Sequence, residues 1–401
     1  VEVFRELGDD LRQRWAACGE DEAAFTELAL EVLTRHNPAG AVSPDDVLRW
    51  VCTTKSLVRQ RNLGSPFGQP PVTVYDSERF YVDVYFWLDG TTQIHQHGFA
   101  GAFQVLGGGS IETRYGFAER LRVDRDLLLG DLRVDDVRRL RPGDSRPIWP
   151  GSRTIHALFH LDRPSATVVA RTSRLGSDPQ YTYGFPGVAY DPERLPQRLT
   201  QCLELLARIE HPERLELFDA AVRDAPPATA FVLLEAAAGF LASKEECAEL
   251  ASRVAAAHPV LASVIHDYVA ERRRQLHVAS LRTRVRSAPH RLLLALLLTV
   301  PSRDGVLRLV QEEKPGAPPL DTLMDWIQGL TGELASGASS GLDASELRVL
   351  RHVLAGASDA RVVEALGSEY DATDVETQAP KVVAMCQAFR NSDLFRPLFA
   401  R

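Results

Sequence analysis

The sequence predicts an α+β protein, with a strand-rich block set between a short helical stretch and a long one. Three observations predict it. Over residues 3–60 apolar side chains recur at spacings of three and four, the period of an amphipathic helix. Over 72–186 short β-branched and aromatic runs are separated by Gly, Pro and Asp, which reads as strands and turns. From about 190 onward the helical spacing returns. These changes divide the chain into an N-terminal helical segment (1–66), a β-barrel domain (67–189) and a C-terminal helical domain (190–401).

Each element has its own signal. Phe4, Leu7, Leu11 and Trp15 mark one helical stripe, and Phe25, Leu28 and Val32 another. Ser43 followed by Pro44 is a helix start, with the serine as cap and the proline in the first turn. Residues 63–71 are a turn-rich linker. The clearest strands are Val72–Tyr75, Phe80–Trp87, Ala102–Leu106 and Ala166–Thr172, and many short strands with frequent turns suggest a sandwich or barrel. Gly107-Gly108-Gly109 lacks the lysine of a phosphate loop and reads as a hairpin turn in that barrel. Beyond 190, Leu203, Leu206 and Ile209 share a helix face, and Leu292–Leu298 is densely apolar. Arg272-Arg273-Arg274 is expected at a helix end on a solvated face. Residues 334–342 form a Gly/Ser loop, and no fixed repeat period is found.

Composition narrows the function. The chain has 401 residues, 45% hydrophobic and 25% charged, enough for a sizeable core without disulfide or metal staples. Lysines and arginines number 46 against 54 acids, a net charge of −8, which argues against a nucleic-acid or anionic-membrane binder. Cys18, Cys52, Cys202, Cys247 and Cys386 are odd in number and form no CxxC pair, so free thiols in a reducing cytoplasm are expected. No window approaches the ~18 apolar residues of a membrane span. The start, Val1-Glu2-Val3, lacks a signal-peptide layout and an initiator Met, so further residues are expected upstream.

The chemistry concentrates in Gly90-Thr-Thr-Gln-Ile-His95-Gln-His97. In a strand, residues i and i+2 project to one face, so His95 and His97 can aim two imidazoles at one point. A third histidine follows a Pro150-Gly151 turn, in Ser152-Arg-Thr-Ile-His156. Strands distant in sequence can direct side chains to one interior spot of a barrel, and imidazole suits Fe, Zn, Cu and Ni.

These residues resemble the cupin superfamily. Its first motif is roughly G-x5-H-x-H-x3,4-E-x6-G and its second roughly G-x5-P-x-G-x2-H-x3-N. Within it the likeness is to thiol dioxygenases of the cysteine dioxygenase type, through His97, Ala102-Phe103, Leu106 and Ser110-Ile111-Glu112-Thr113, then Ile155-His156. The likeness covers residues 72–175. It implies a double-stranded β-helix holding mononuclear iron through His95, His97 and His156. The spacings depart from the motifs. Gly90 to His95 is one residue short, and His160 stands where an Asn is usual. Ala102 occupies the position of the glutamate ligand of most cupins and of the thioether-forming cysteine of cysteine dioxygenases. Thr167, Val169 and Arg171 stand where those enzymes carry a Ser-His-Tyr triad. The resemblance therefore points to a relative acting on another substrate.

Three neutral imidazoles leave Fe²⁺ doubly charged, with open positions for a chelating anion and O₂. The expected activity is O₂-dependent oxidation of a small thiol, amino acid or related acid, without nucleic-acid or membrane partners. Arg171 would clamp a substrate carboxylate or stabilise superoxide, if its strand phase turns it inward. Gln104 and Tyr85 are the other candidate catalytic residues. Tyr81, Asp83, Tyr85 and Trp87 share one strand face that the family match turns inward. Arg61 resembles the arginine segment that holds the substrate carboxylate in cysteine dioxygenase. His160 reads as a fourth ligand, a proton shuttle or a structural histidine. Zn²⁺, Ni²⁺ or Mn²⁺ in the same pocket would instead support an O₂-independent isomerase or hydrolase. A third reading is a ligand-sensing barrel whose C-terminal helices bind a second copy or a protein partner.

Overall fold

The computed structural model describes residues 2–399 apart from 62, 64–66, 89–91, 174–178, 195, 242, 336–340, 370 and 371, and omits the side chains of 194, 368, 369 and 372–378. Gly90, Asn62, and parts of the 63–71 linker and of the 334–342 loop thus lie outside the described residues. The chain forms two compact units, Val1–Arg273 and Arg274–Arg401.

The first unit opens with helices α1 (Glu2–Ala17), α2 (Glu22–His36), α3 (Pro38–Ala41) and α4 (Pro44–Thr53). The Asp21 side chain caps α2 by accepting from the Ala23 N–H. Ser43 and Asp46 form a reciprocal capping box at α4, satisfying N–H groups that a helix start leaves without partners. The stripes of α1 and α2 (Phe4, Leu7, Leu11 and Trp15; Phe25, Ala29, Val32 and Leu33) are buried against a sheet. Each such side chain contributes roughly 1.5–3 kcal/mol by leaving water.

Eleven strands follow among the described residues: β1 (Pro71–Asp76), β2 (Phe80–Trp87), β3 (Ile94–His97), β4 (Gly101–Gly107), β5 (Ser110–Arg122), β6 (Leu127–Leu140), β7 (Ser145–Ile148), β8 (Gly151–His160), β9 (Ser165–Thr172), β10 (Thr182–Gly184) and β11 (Val188–Tyr190). Their antiparallel pairings nest. β5 pairs with β6, β4 with β7, β3 with β8, and β2 with β9. Successive turns of this long hairpin join through β4·β9 and β5·β8. The chain alternates between a five-stranded sheet, β1-β2-β9-β4-β7, and a six-stranded ring that closes as β10-β11-β6-β5-β8-β3. A nested hairpin wound through two sheets is a double-stranded β-helix, and the architecture is α+β. Because β4 and β5 belong to different sheets, the 107–109 glycines turn a corner between sheets and make no hairpin; Gly108 supplies the positive φ of +72° that the corner needs.

Strand alternation gives each layer its own core. In β2, β4 and β9 the even-numbered Val82, Val84, Phe86, Ala102, Val168 and Ala170 pack on the N-terminal helices. The odd-numbered Tyr85, Trp87, Phe103, Val105 and Val169 face inward and meet Leu158 from the other sheet. A further apolar cluster includes Ile94, Tyr115, Leu128, Ile155, Tyr183 and Ala189, one from each strand of the ring.

Helices α5 (Gln197–Arg208), α6 (Arg214–Arg223), α7 (Pro227–Phe240), α8 (Lys244–Ala257) and α9 (Ile265–Leu281) come next. Leu127, Leu129, Val188 and Tyr190 of the ring share one core with Leu203, Phe218, Phe231 and Tyr268. The strand-to-helix change near 190 is therefore not where the compact units part; the division falls inside α9. The arginine run also departs from expectation. Arg272 donates to Glu235 at 2.8 Å, and Arg274, 5% exposed, donates to the Leu297 and Leu298 carbonyls. The run lies mid-helix, where these partners draw the guanidiniums into the packing.

The second unit is helical: α10 (Ala288–Thr299), α11 (Arg303–Glu313), α12 (Pro319–Ala335), α13 (Ala344–Leu354), α14 (Asp359–Glu369) and α15 (Ala372–Arg390) follow the end of α9. Leu292–Leu297, Ile327, Leu330 and Leu350 are buried in it. No described helix is long and apolar enough to cross a membrane, and the five cysteines are free.

Candidate metal centre

Two neighbouring strands of the ring build the centre. His95 of β3 lies directly opposite His156 of β8 in the antiparallel register, so both imidazoles leave the same face. His97, two residues on, shares it. A register shift between Gln96 and His97 pairs His97 with Gly151, whose φ of +66° is one that glycine adopts without strain. Gln96 points the other way, accepting from the Tyr183 hydroxyl and donating to the Pro179 carbonyl. One ligand nitrogen from each of His95, His97 and His156 lies within 4.8 Å of the others.

The hydrogen bonds fix which nitrogens face the centre. His95 places Nδ1 2.8 Å from the Gln93 carbonyl, so Nδ1 carries the proton, and the buried Nε2 has no hydrogen-bond partner among the described residues. His156 Nδ1 donates to Glu112 Oε1 at 3.1 Å, leaving its Nε2 lone pair 2.9 Å from His97 Nε2. Burial, then the neighbouring imidazole of His156, lowers His95 to a pKa of about 3. Burial and the adjacent histidines and Arg171 hold His97 well below its ordinary value. Neutral imidazoles with converging lone pairs are what metal ligation requires. Two ligands at right angles about 2.0–2.1 Å from one metal stand ~2.9 Å apart, the separation of the His97 and His156 nitrogens. The donor set therefore fits a divalent metal.

Glu112 anchors this arrangement from β5. Burial alone would raise its carboxyl; the His156 N–H and the Arg114 and Arg146 charges outweigh burial and bring it down to about 2. Arg146 Nε donates to Oε2 at 2.7 Å and Arg114 Nε to Oε1 at 3.2 Å. An ionised carboxylate behind a ligand histidine fixes its tautomer and raises its basicity.

The histidines open onto a cavity of about 500 Å³. Its wall includes Tyr81, Tyr85 and Trp87 of β2, Phe99, Phe103 of β4, and Thr167, Val169 and Arg171 of β9. Of the two strand phases open to Arg171, the structure adopts the inward one. Its guanidinium carbon lies 3.4 Å from the Phe99 ring centroid and 5.3 Å from that of Tyr81, a cation held between aromatic faces. Among the described residues no carboxylate lies within ion-pair distance of it. Gly101 stands opposite Arg171 in the β4·β9 register, where a Cβ would come 2.4 Å from the Ala170 carbonyl, so glycine lets the two strands approach closely. The Tyr85 hydroxyl donates to Asp83 Oδ2 at 3.1 Å, and Asp83 Oδ1 accepts from Thr73. Burial first, then the Asp83 charge, pushes the Tyr85 phenol above its ordinary value, against the pull of Arg171.

Other expected residues lie elsewhere. Gln104 does not reach the cavity. It donates to the Leu33 and Gly143 carbonyls and to Ser145, and accepts from the Ala39 N–H. The reason is strand phase: Ala102 and Gln104 face the N-terminal helices, and Phe103 faces inward. Ala102 accordingly does not stand at a ligand position. His160 is fully buried, with Nδ1 3.0 Å from Ser110 Oγ and its ring stacked on Trp87 at 4.4 Å, outside the ligand cluster. Arg61 reaches the cavity but donates to Asp76 at 2.7 Å. Sequence reasoning missed Glu112, 44 residues before the histidine it supports, and the aromatic wall of Phe67, Phe99 and Phe103. The alternation of β4 around Phe103 was the one signal that could have found part of that wall.

No family model matches the sequence, and no curated protein matches it. Among solved structures, the chain is similar to DMSP lyase DddQ from Ruegeria pomeroyi (17% identity, 44% of this chain and 94% of that one, TM-score 0.23). It is also similar to hydroquinone 1,2-dioxygenase from Sphingomonas (11% identity, 30% and 84%, TM-score 0.22). A cupin-2 domain containing protein from Shewanella frigidimarina is a third (13% identity, 33% and 94%, TM-score 0.21).

Proposed function

We propose that this chain is a mononuclear metalloenzyme that oxidises a small metal-chelating acid with O₂, using iron held by His95, His97 and His156. One observation carries the reading. Three buried imidazoles converge without a carboxylate among them, at the wall of a cavity that also holds the Arg171 guanidinium. Bound Fe²⁺ would supply a redox centre with positions open to both reactants. The residues do the rest. Arg171 binds and orients the substrate anion through charge-assisted hydrogen bonds. Tyr85, its hydroxyl hydrogen-bonded to Asp83, presents its ring to the cavity. Glu112 holds the proton on His156 Nδ1 and keeps Nε2 a donor to the metal. Phe67 lies edge-on to Tyr85, Trp87 and His95 and limits water at the centre.

The test is the metal content of protein purified without oxygen, followed by O₂ uptake with chelating acids. One iron per chain is expected, with O₂ consumption that His156→Ala abolishes together with the metal. A His156→Ala chain with full metal occupancy would sink the ligand assignment. Zinc or nickel with turnover independent of O₂, persisting after iron reconstitution, would replace the oxygenase by an isomerase or hydrolase.

A further inference from the structure

We infer that the acid this cavity takes is aromatic, bound with its carboxylate on Arg171 and its ring between the aromatic walls. The inference rests on the metal-centre reading and adds the substrate class to it. The walls carry the argument. Tyr85 and Trp87 both have polar ends, and both are engaged by protein partners: the Tyr85 hydroxyl by Asp83, and Trp87 Nε1 by Thr167 Oγ1 at 3.2 Å. What they offer the cavity is ring surface. Phe99, Phe103, Ile148 and Leu158 add apolar surface. A pocket so lined gains most from a ligand with a flat apolar body.

Arg61, Ser173, Gln180 and Glu193 also line the cavity, and two polar features bear on an anion that also binds the metal. The histidine nitrogens form one. The Arg171 guanidinium forms the other, and Phe99 spans the two. Its ring centroid is 3.4 Å from the guanidinium carbon and 4.6 Å from the His97 centroid. A ligand engaging both reaches two groups that each contact the Phe99 ring. An aromatic acid bearing a hydroxyl or thiol offers a group to each and a ring to the walls between; a small aliphatic thiol acid leaves most of the 500 Å³ unfilled. An α-amino acid would also bring an ammonium near the Arg171 charge. The nearby Asp83 carboxylate already accepts from Tyr85 and Thr73, and Glu193, also on the cavity, is solvent-exposed.

The experiment is calorimetric titration of the full chain loaded with zinc, which is redox-inert, so that binding is read without turnover. The probes are 3- and 4-mercaptobenzoate, benzenethiol, 3-mercaptopropionate and L-cysteine. A mercaptobenzoate is expected to bind about tenfold or more tighter than either aliphatic thiol. Arg171→Met should weaken that mercaptobenzoate by about tenfold or more, leave benzenethiol unchanged and keep one zinc per chain. Phe99→Leu should weaken both aromatic probes and spare 3-mercaptopropionate. Equal or tighter binding of the aliphatic thiols, or an Arg171→Met chain that binds mercaptobenzoate normally, would overturn the inference while one zinc per chain leaves the metal reading standing. Failure of the parent chain to take up zinc would instead strike the metal reading itself, and the inference with it.

Discussion

The two faces of the five-stranded sheet use the same strands and backbone for opposite ends. On the helix-covered face Val82, Val84, Phe86, Val168 and Ala170 are apolar, and the polar Gln104 is fully engaged by backbone and serine. On the inward face the same strands present Tyr81, Asp83, Tyr85, Thr167 and Arg171. There a guanidinium has no carboxylate partner among the described residues, and across the cavity the His95 Nε2 has no hydrogen bond. Buried polar groups are normally satisfied, so the cavity onto which the unpartnered His95 Nε2 opens is the candidate place for a ligand. Which residues belong to which face is a matter of parity alone, and a one-residue slip exchanges them.

The two faces would lose their distinction if the helix-facing side carried the metal function. Phe86→Ala should destabilise the chain by about 3–5 kcal/mol, the usual cost of an emptied aromatic site, read as a lowered denaturation midpoint. The folded fraction should still bind one metal per chain; a loss of stoichiometry at full folding would erase the distinction between faces. Glu112→Gln tests the inward side. Glutamine keeps the shape and loses the charge that fixes His156, so metal affinity should fall about 10–100-fold, measured by chelator competition on folded protein. An unchanged affinity would reduce Glu112 to a partner of Arg114 and Arg146.

Much of this was legible in the sequence, for reasons that are physical. The HxH pair needed only strand periodicity, and the Pro150-Gly151 turn marked the start of β8, the strand that carries His156. The α+β layout followed from changes of hydrophobic period. The long β5 and β6 were harder, because charges such as Arg133, Asp135, Asp136 and Arg138 of β6 blur the apolar alternation; they form surface ion pairs, Arg133–Asp135 and Arg138–Asp136. Glu112 was illegible as a partner of His156, since nothing local pairs residues so far apart. Gln104 went astray through a borrowed alignment. Placing Ala102 at a ligand position forced the wrong parity on β4, whereas Phe103 and Val105, read as the buried stripe, give the right one.

Gln104 therefore supplies the finest test of the two faces. Replacing it with leucine keeps the bulk and removes both its amide donors and its acceptor. The Ala39 N–H then loses a side-chain partner in a part-buried place, and the Leu33 carbonyl one in a buried place. The expected cost is about 1–2 kcal/mol, smaller than for Phe86 because part of the loss can be met by water near α3. If the parity is right, Gln104→Leu lowers the melting temperature slightly, while metal stoichiometry and the affinity for an aromatic acid stay at parental values. A selective loss of acid affinity, with the melting temperature unchanged, would return Gln104 to the cavity. Ala102 would then face inward as well, and with it the question of a missing fourth ligand.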